Sequence, residues 1–397
     1  MDVRSPIENS SSSVALSASF NLNCDCFVVA TNNGFRVFDA ATCKQLAKRV
    51  LKEGGVGMIQ IFGRSNIIPL VVIWDEKKVE FTREIACSSR VRGIRVLDRK
   101  VVVLLQDEVR TYSIDGVPKL DARFPTTSNP AGLCSISGTH LAFPGRTAGQ
   151  VQLVQNQTQA VSIIPAHASA LGAIALSRDG SLLATASEKG TLVRVWSTAN
   201  NARVAELRRG VDHVTIFSLG FNPSGTLLAC TSDKGTLHVF DVPHAGGGVL
   251  DHLHGGPAQV EASDAGGAWS YEDSDVASYA SDPRTDGGRG GDGSGRWGVL
   301  GKLPFMPRYF RDTVSFASAE FALDDGPGPN RQREAEEAAT MRWTRLPRGT
   351  LGWTSDDTVA VLGAGIDAKY ERFVVSVGND GRRVCVRQAW ANYMGID

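Results

Sequence analysis

Two adjacent arginines, Arg208 and Arg209 in Leu207-Arg208-Arg209-Gly210, are the residues here whose type and spacing point most directly to chemistry. A guanidinium is a planar fork of donors that fits phosphate oxygens. Successive residues on a strand point to opposite faces. An Arg-Arg pair on a strand at a blade edge therefore serves two neighbouring anion sites, one on each side. The surrounding chain must say how such a pair is held and which anion it meets.

The pair lies between two copies of a repeat. Leu182-Leu183-Ala184-Thr185-Ala186-Ser187-Glu188-Lys189-Gly190-Thr191 runs into Leu192-Val193-Arg194-Val195-Trp196-Ser197. Leu227-Leu228-Ala229-Cys230-Thr231-Ser232-Asp233-Lys234-Gly235-Thr236 runs into Leu237-His238-Val239-Phe240-Asp241. Each copy is an apolar strand, a Ser-acid-Lys-Gly turn and a second strand ending in an aromatic residue. Gly190 and Gly235 are 45 positions apart, within the period of propeller blades. Weaker copies occur at 27–39, 72–75 and 99–112. Short strands, Gly/Asp/Asn turns and little helical periodicity predict an all-β, WD40-like propeller.

Two stretches break the repeat. Residues 244–301 are rich in Gly, Asp and Ser and read as a long disordered loop. Residues 324–340 read as a second, polar insertion. Without them roughly 320 residues remain, about seven blades, with six also compatible with the length. Residues 1–13 read as a disordered lead-in without a secretory signal, and 14–397 as a single propeller.

Composition narrows the function classes. Lys plus Arg and Asp plus Glu are 42 each, so bulk attraction to nucleic acid is excluded and anion recognition must be local. No apolar run reaches the ~20 residues that span a bilayer. Seven cysteines, scattered apart from Cys24-Asp25-Cys26, show no metal-ligand spacing and suit a reduced, cytosolic protein. The Cys24/Cys26 pair reads as two small apolar residues on one side of a strand. Gly363-Ala364-Gly365-Ile366-Asp367-Ala368 fits a dinucleotide fingerprint, but a strand follows where that motif needs a helix. No nucleophile–base grouping or acidic pair stands out, so neither catalysis nor a cofactor is expected.

In this blade context Leu-Arg-Arg-Gly, followed by Ser-Asp-Lys-Gly-Thr-Leu-His-Val-Phe, resembles the PROPPINs, seven-bladed propellers that bind phosphoinositides and include the animal WIPI proteins. Asn33-Gly34-Phe35-Arg36-Val37-Phe38, Leu141-Ala142-Phe143-Pro144-Gly145 and Ile164-Pro165-Ala166-His167 also match, and the tail resembles the fungal branch related to the third and fourth WIPI paralogues. The resemblance implies one site built from Arg208 with Ser187, Lys189, Thr191, Arg194 and nearby His167. It implies a second built from Arg209 with Ser232, Thr236, His238 and His213. Hydroxyls and imidazoles add short donors to the arginine's charge-assisted ones. Ser187 and Ser232 equally suit turn capping, and His213 a structural role.

The resemblance further implies that the loop 244–301 lies within the sixth blade and dips into a membrane. Its early part is acidic; its end, Arg296-Trp297-Gly298-Val299-Leu300-Gly301-Lys302-Leu303-Pro304-Phe305, mixes apolar and cationic residues suited to a bilayer interface. Trp297, Val299, Leu300 and Phe305 are the expected anchor, with Arg308-Tyr309-Phe310 read as the returning strand. Phosphorylation of Ser274, Ser278 or Ser281 would deepen the loop's repulsion from anionic lipid. The implied ligands are phosphatidylinositol 3-phosphate and the 3,5-bisphosphate. The implied partner is an autophagy lipid-transfer protein, at vacuolar, endosomal or pre-autophagosomal membranes. The alternative is a propeller scaffold without lipid binding. Family members carry a longer loop in blade 2; here Ile67-Ile68-Pro69 runs almost directly into Val72-Ile73-Trp74-Asp75.

Overall fold

The computed structural model describes residues 13–51, 56, 58–60, 67–69, 72–75, 80–85, 87, 89, 91–97, 99–243, 313–323, 349–363 and 368–394. Their strands form seven sheets, the blades of a β-propeller, spanning 15–50, 67–84, 93–125, 135–165, 171–208, 216–320 and 350–392. Seven, and not six, is the blade number. Blade 2 shows three strands among the described residues, with Ile67–Pro69 and Val72–Asp75 separated by two residues.

Burial follows the radial position of each strand. First strands of neighbouring blades touch one another, so they line the centre. Second strands are short apolar runs buried on both faces, as in Cys26–Thr31, Leu182–Ser187 and Leu227–Ser232. Outer strands such as Gln45–Val50 and Lys119–Pro125 alternate between covered and exposed positions. Each interface between blades is thus a small apolar core of its own. The one between blades 5 and 6 joins Ala186, Val193, Val195 and Leu207 to Ile216, Leu228, Cys230 and Phe240.

The ring closes without a shared strand. Blade 1 is built wholly from the start of the propeller and blade 7 wholly from its end, with no strand exchanged. Phe27 and Phe38 meet Tyr370 and Tyr393 across that seam, with Phe27 5.9 Å from Tyr370 and 5.6 Å from Tyr393 between ring centres. The Tyr370 hydroxyl donates to the Ala40 carbonyl at 2.6 Å, and Arg372 Nη1 to that of Ala41 at 2.7 Å.

Some sequence readings change here, while the rejection of a dinucleotide site agrees with the strand that follows the glycine-rich fingerprint. Cys24 is not on a strand: it sits in a turn at φ 53° before the strand Cys26–Thr31, and only Cys26 is fully buried. The glycine-rich fingerprint lies between two antiparallel strands, Thr358–Leu362 and Lys369–Val377, which no dinucleotide fold has. The fourth strand of blade 6 is Ala317–Glu320, after a short pair of residues, Thr313–Val314, that joins blade 5. Segment 308–310, read from sequence as the returning strand, lies outside the described residues, as do the insertions 244–301 and 324–340.

Candidate phosphate-binding pockets

Arg208 ends the outer strand of blade 5, Arg203–Arg208, opposite Leu192. Leu207 is fully buried against blade 6. Alternation therefore turns Arg208 the other way, onto the face it shares with Glu206, Arg194 and Ser187. That face looks toward blade 4: Leu183 and Trp196 pack there against Ile164 and Ala166.

On this first face the polar groups are tightly interlinked. Arg194 Nε donates to Glu206 Oε2 at 2.8 Å, and its Nη1 to the Ala166 carbonyl at 2.6 Å. Arg203 Nη1 also reaches Glu206 Oε2, at 3.0 Å. His167 Nε2 lies 3.0 Å from Thr185 Oγ1, which accepts the Trp196 indole N–H at 3.0 Å. Burial, then the neighbouring Arg194, hold the His167 pKa down at about 4. The ring is neutral at pH 7 and joins blade 4 to the core of blade 5. Lys189 is exposed at the turn tip and Ser187 is buried beneath it. Positive charge on this side comes from Arg208, Arg194 and Lys189, partly offset by Glu206.

Arg209 is held by backbone. Its N–H donates to the Thr191 carbonyl at 2.9 Å, and its Nε to that of Gly190 at 3.0 Å. Its Nη2 donates to the Asp212 carbonyl. Gly190 makes this possible. At φ +64° it occupies the left-handed region, and a Cβ there would come within 2.1 Å of the Val214 oxygen. The segment after Arg209 is stitched to both flanking turns. Val214 N donates to the Lys189 carbonyl at 3.2 Å; Thr215 N donates to Asp233 Oδ2 and Asp233 N to the Thr215 carbonyl, each at 3.0 Å.

Blade 6 faces that segment with Ser232, Thr236 and His238, on the side where Leu228, Cys230 and Phe240 pack against blade 5. Ser232 Oγ and Thr236 Oγ1 are 3.0 Å apart. His238 Nδ1 is 3.1 Å from Ser315 Oγ. Burial, and then the positive charge of Arg209, lower the His238 pKa to about 4. The same guanidinium acts on Cys230, although burial dominates there and pushes the thiol up to about 12. Arg209 and His238 are thus electrostatic neighbours between blades 5 and 6, and the arginine carries the charge. His213 is exposed on the linking segment.

The two turns differ by one residue. Four residues separate the strands ending at Ser187 and starting at Leu192; three separate Ser232 from Thr236. Strand register therefore makes Arg194 the counterpart of His238, since Thr185 faces Arg194 as Cys230 faces His238. Thr191 lies in the longer turn, with no counterpart in the strand. Sequence reading overlooked Glu206 and Ser315. An acid opposite Arg194 is visible only in the strand register, and Ser315 lies 77 positions beyond His238, where no spacing rule reaches. Trp297, Val299, Leu300 and Phe305 lie outside the described residues.

Comparison with known proteins agrees with this architecture. The PROPPIN family profile matches residues 15–247. The chain is 42% identical over 432 aligned positions to SVP1-like protein 2 of Neurospora crassa, covering 100% of this chain and 99% of that one. Among solved structures, Kluyveromyces lactis Hsv2 superposes with a TM-score of 0.69 at 18% identity, over 96% of this chain and 100% of that one. An Atg21 protein in complex with the coiled coil of an Atg16 protein superposes at 0.63 and 17% identity, over 96% and 99%. The chain belongs to the PROPPIN family of non-enzymatic β-propellers.

Proposed function

We propose that the protein is a phosphoinositide effector that binds phosphatidylinositol 3-phosphate and the 3,5-bisphosphate at two sites. One site combines Arg208 with Ser187, Lys189, Thr191, Arg194 and His167; the other combines Arg209 with Ser232, Thr236, His238 and His213. The supporting observation is the division of the arginine pair between two blade interfaces, with Arg209 beside His238. Neutral histidines suit this use. They offer one donor each without the cost of burying a second charge.

Family membership supports membrane recruitment in autophagy or in vacuolar and endosomal trafficking. The anchor proposed at Trp297, Val299, Leu300 and Phe305 would add a reversible apolar contact. An Atg21 propeller is known in complex with an Atg16 coiled coil, which supports a protein partner for this propeller too; the proposed partner is an autophagy lipid-transfer protein. Flotation with liposomes containing 3-phosphoinositide tests the reading. Arg208→Thr with Arg209→Thr should abolish co-flotation, because each arginine's charge-assisted bonds are worth about 1.5–3 kcal/mol. Undiminished flotation of the folded double variant would overturn the two-site reading; a natural chain that does not float with these liposomes would favour the lipid-independent scaffold.

A further inference from the structure

The second pocket contains a group that comes from beyond the insertion. The chain returns at Thr313–Val314, which pairs in parallel with Leu207–Arg208. It then crosses to Ala317–Glu320, beside Thr236–Asp241 of blade 6. Ser315 is at this crossing, with its Oγ 3.1 Å from His238 Nδ1. Phe316 fixes the crossing further, because the Arg383 guanidinium lies 3.7 Å over its ring while also pairing with Asp241.

A neutral imidazole carries one N–H, and the partner of one nitrogen decides which it is. His238 is neutral at pH 7 because burial and Arg209 oppose its protonation. If Nδ1 held the proton, Nε2 would present a lone pair to any anion. If Nδ1 accepts the Ser315 O–H, Nε2 carries the proton and donates. The groups around the ring agree with the second arrangement. Arg209 faces it from blade 5, the uncharged Cys230 thiol lies on the paired strand, and Ser232 and Thr236 share its face.

We infer that Ser315 is a positioning residue that holds His238 as the Nε2–H tautomer and so completes the phosphate-binding pocket beside Arg209. This rests on the lipid-binding reading above. The strand that follows the insertion is thereby part of the pocket, although the insertion separates it from every other pocket residue in sequence.

The test uses the full chain carrying Arg208→Thr, so that only the second pocket is read, with 15N-labelled histidine. Ring-nitrogen shifts report the tautomer. Affinity is measured for soluble inositol 1,3-bisphosphate and for phosphatidylcholine vesicles carrying phosphatidylinositol 3-phosphate. Ser315→Ala should mix the tautomers and weaken both affinities about fivefold, the value of one neutral hydrogen bond. Ser315→Thr should restore both readouts. A wild-type tautomer in the alanine variant, or unchanged affinity with a mixed tautomer, would overturn the inference. If Arg209→Thr also leaves affinity unchanged, the lipid reading itself fails; if only Ser315→Ala is silent, only this inference fails. Inorganic phosphate bound more tightly than the headgroup would overturn the assignment to lipid.

Discussion

Arg208 and Arg209 are neighbours with different surroundings. Arg208 lies on a face where Arg194, Arg203 and Glu206 already form a charge network. The Arg209 guanidinium is fixed by two backbone carbonyls, its main-chain N–H by a third, and no carboxylate among the described residues forms an ion pair with it. Carbonyl ligands orient a guanidinium without cancelling its charge, so Arg209 keeps its field for an anion. The histidines beside them give a pH prediction. His167 and His238 have pKa values near 4, below the ordinary 6.5, and burial lowers that of His140 as well. A depressed folded pKa means the unfolded chain binds the proton more readily, so the stability from these groups is present above about 6.5 and lost as pH falls toward 4. Urea midpoints should therefore drop between pH 7 and 5. The drop should shrink in a His167→Gln, His238→Gln variant; an unchanged slope would contradict the neutral-histidine account.

Among elements, the hairpins of blades 5 and 6 show what the sequence could and could not reveal. Their apolar strands and Gly190/Gly235 turns were legible because the periodicity and the left-handed glycine are local. The turn of Arg208 away from Leu207 was legible too, since alternation needs only strand boundaries; Arg209, read as part of the same strand, lies just past its end and is placed by backbone carbonyls instead. Register was not legible. Matching Thr191 with Thr236 by distance from glycine misses the extra turn residue that makes Arg194 and His238 the counterparts. The role of His167 also depended on a partner 18 positions away, Thr185, which in turn accepts the Trp196 indole N–H across the strands. The Cys24-Asp25-Cys26 spacing suggested a strand because residue types carry no sign of the positive φ at Cys24.

For the whole molecule, the balance of charge matters as much as the ring. With 42 cationic and 42 anionic residues, long-range attraction to an anionic surface is weak, and selectivity must come from short-range pockets. Two pockets flanking blade 5, as proposed, would combine through effective concentration, so that modest single-site affinities would yield firm but reversible attachment. Rigidity depends on the seam between blades 1 and 7, which no shared strand reinforces. Phe27→Ala, removing the ring at the centre of that aromatic cluster, should cost about 3–5 kcal/mol of stability. Headgroup affinity in the folded fraction should be preserved, because the seam is formed by blades 1 and 7 and the pockets by blades 4, 5 and 6. Calorimetric denaturation with parallel titration checks both; a stable variant would show that the seam is held elsewhere.

The central claim is that the arginine pair serves two separate pockets. Isothermal titration of the soluble headgroup inositol 1,3-bisphosphate counts them directly. The account predicts two sites for the natural chain, one each for Arg208→Thr and Arg209→Thr, and none for the double variant. A single site in the natural chain that either substitution abolishes would mean both arginines grip one phosphate group, and would contradict the account.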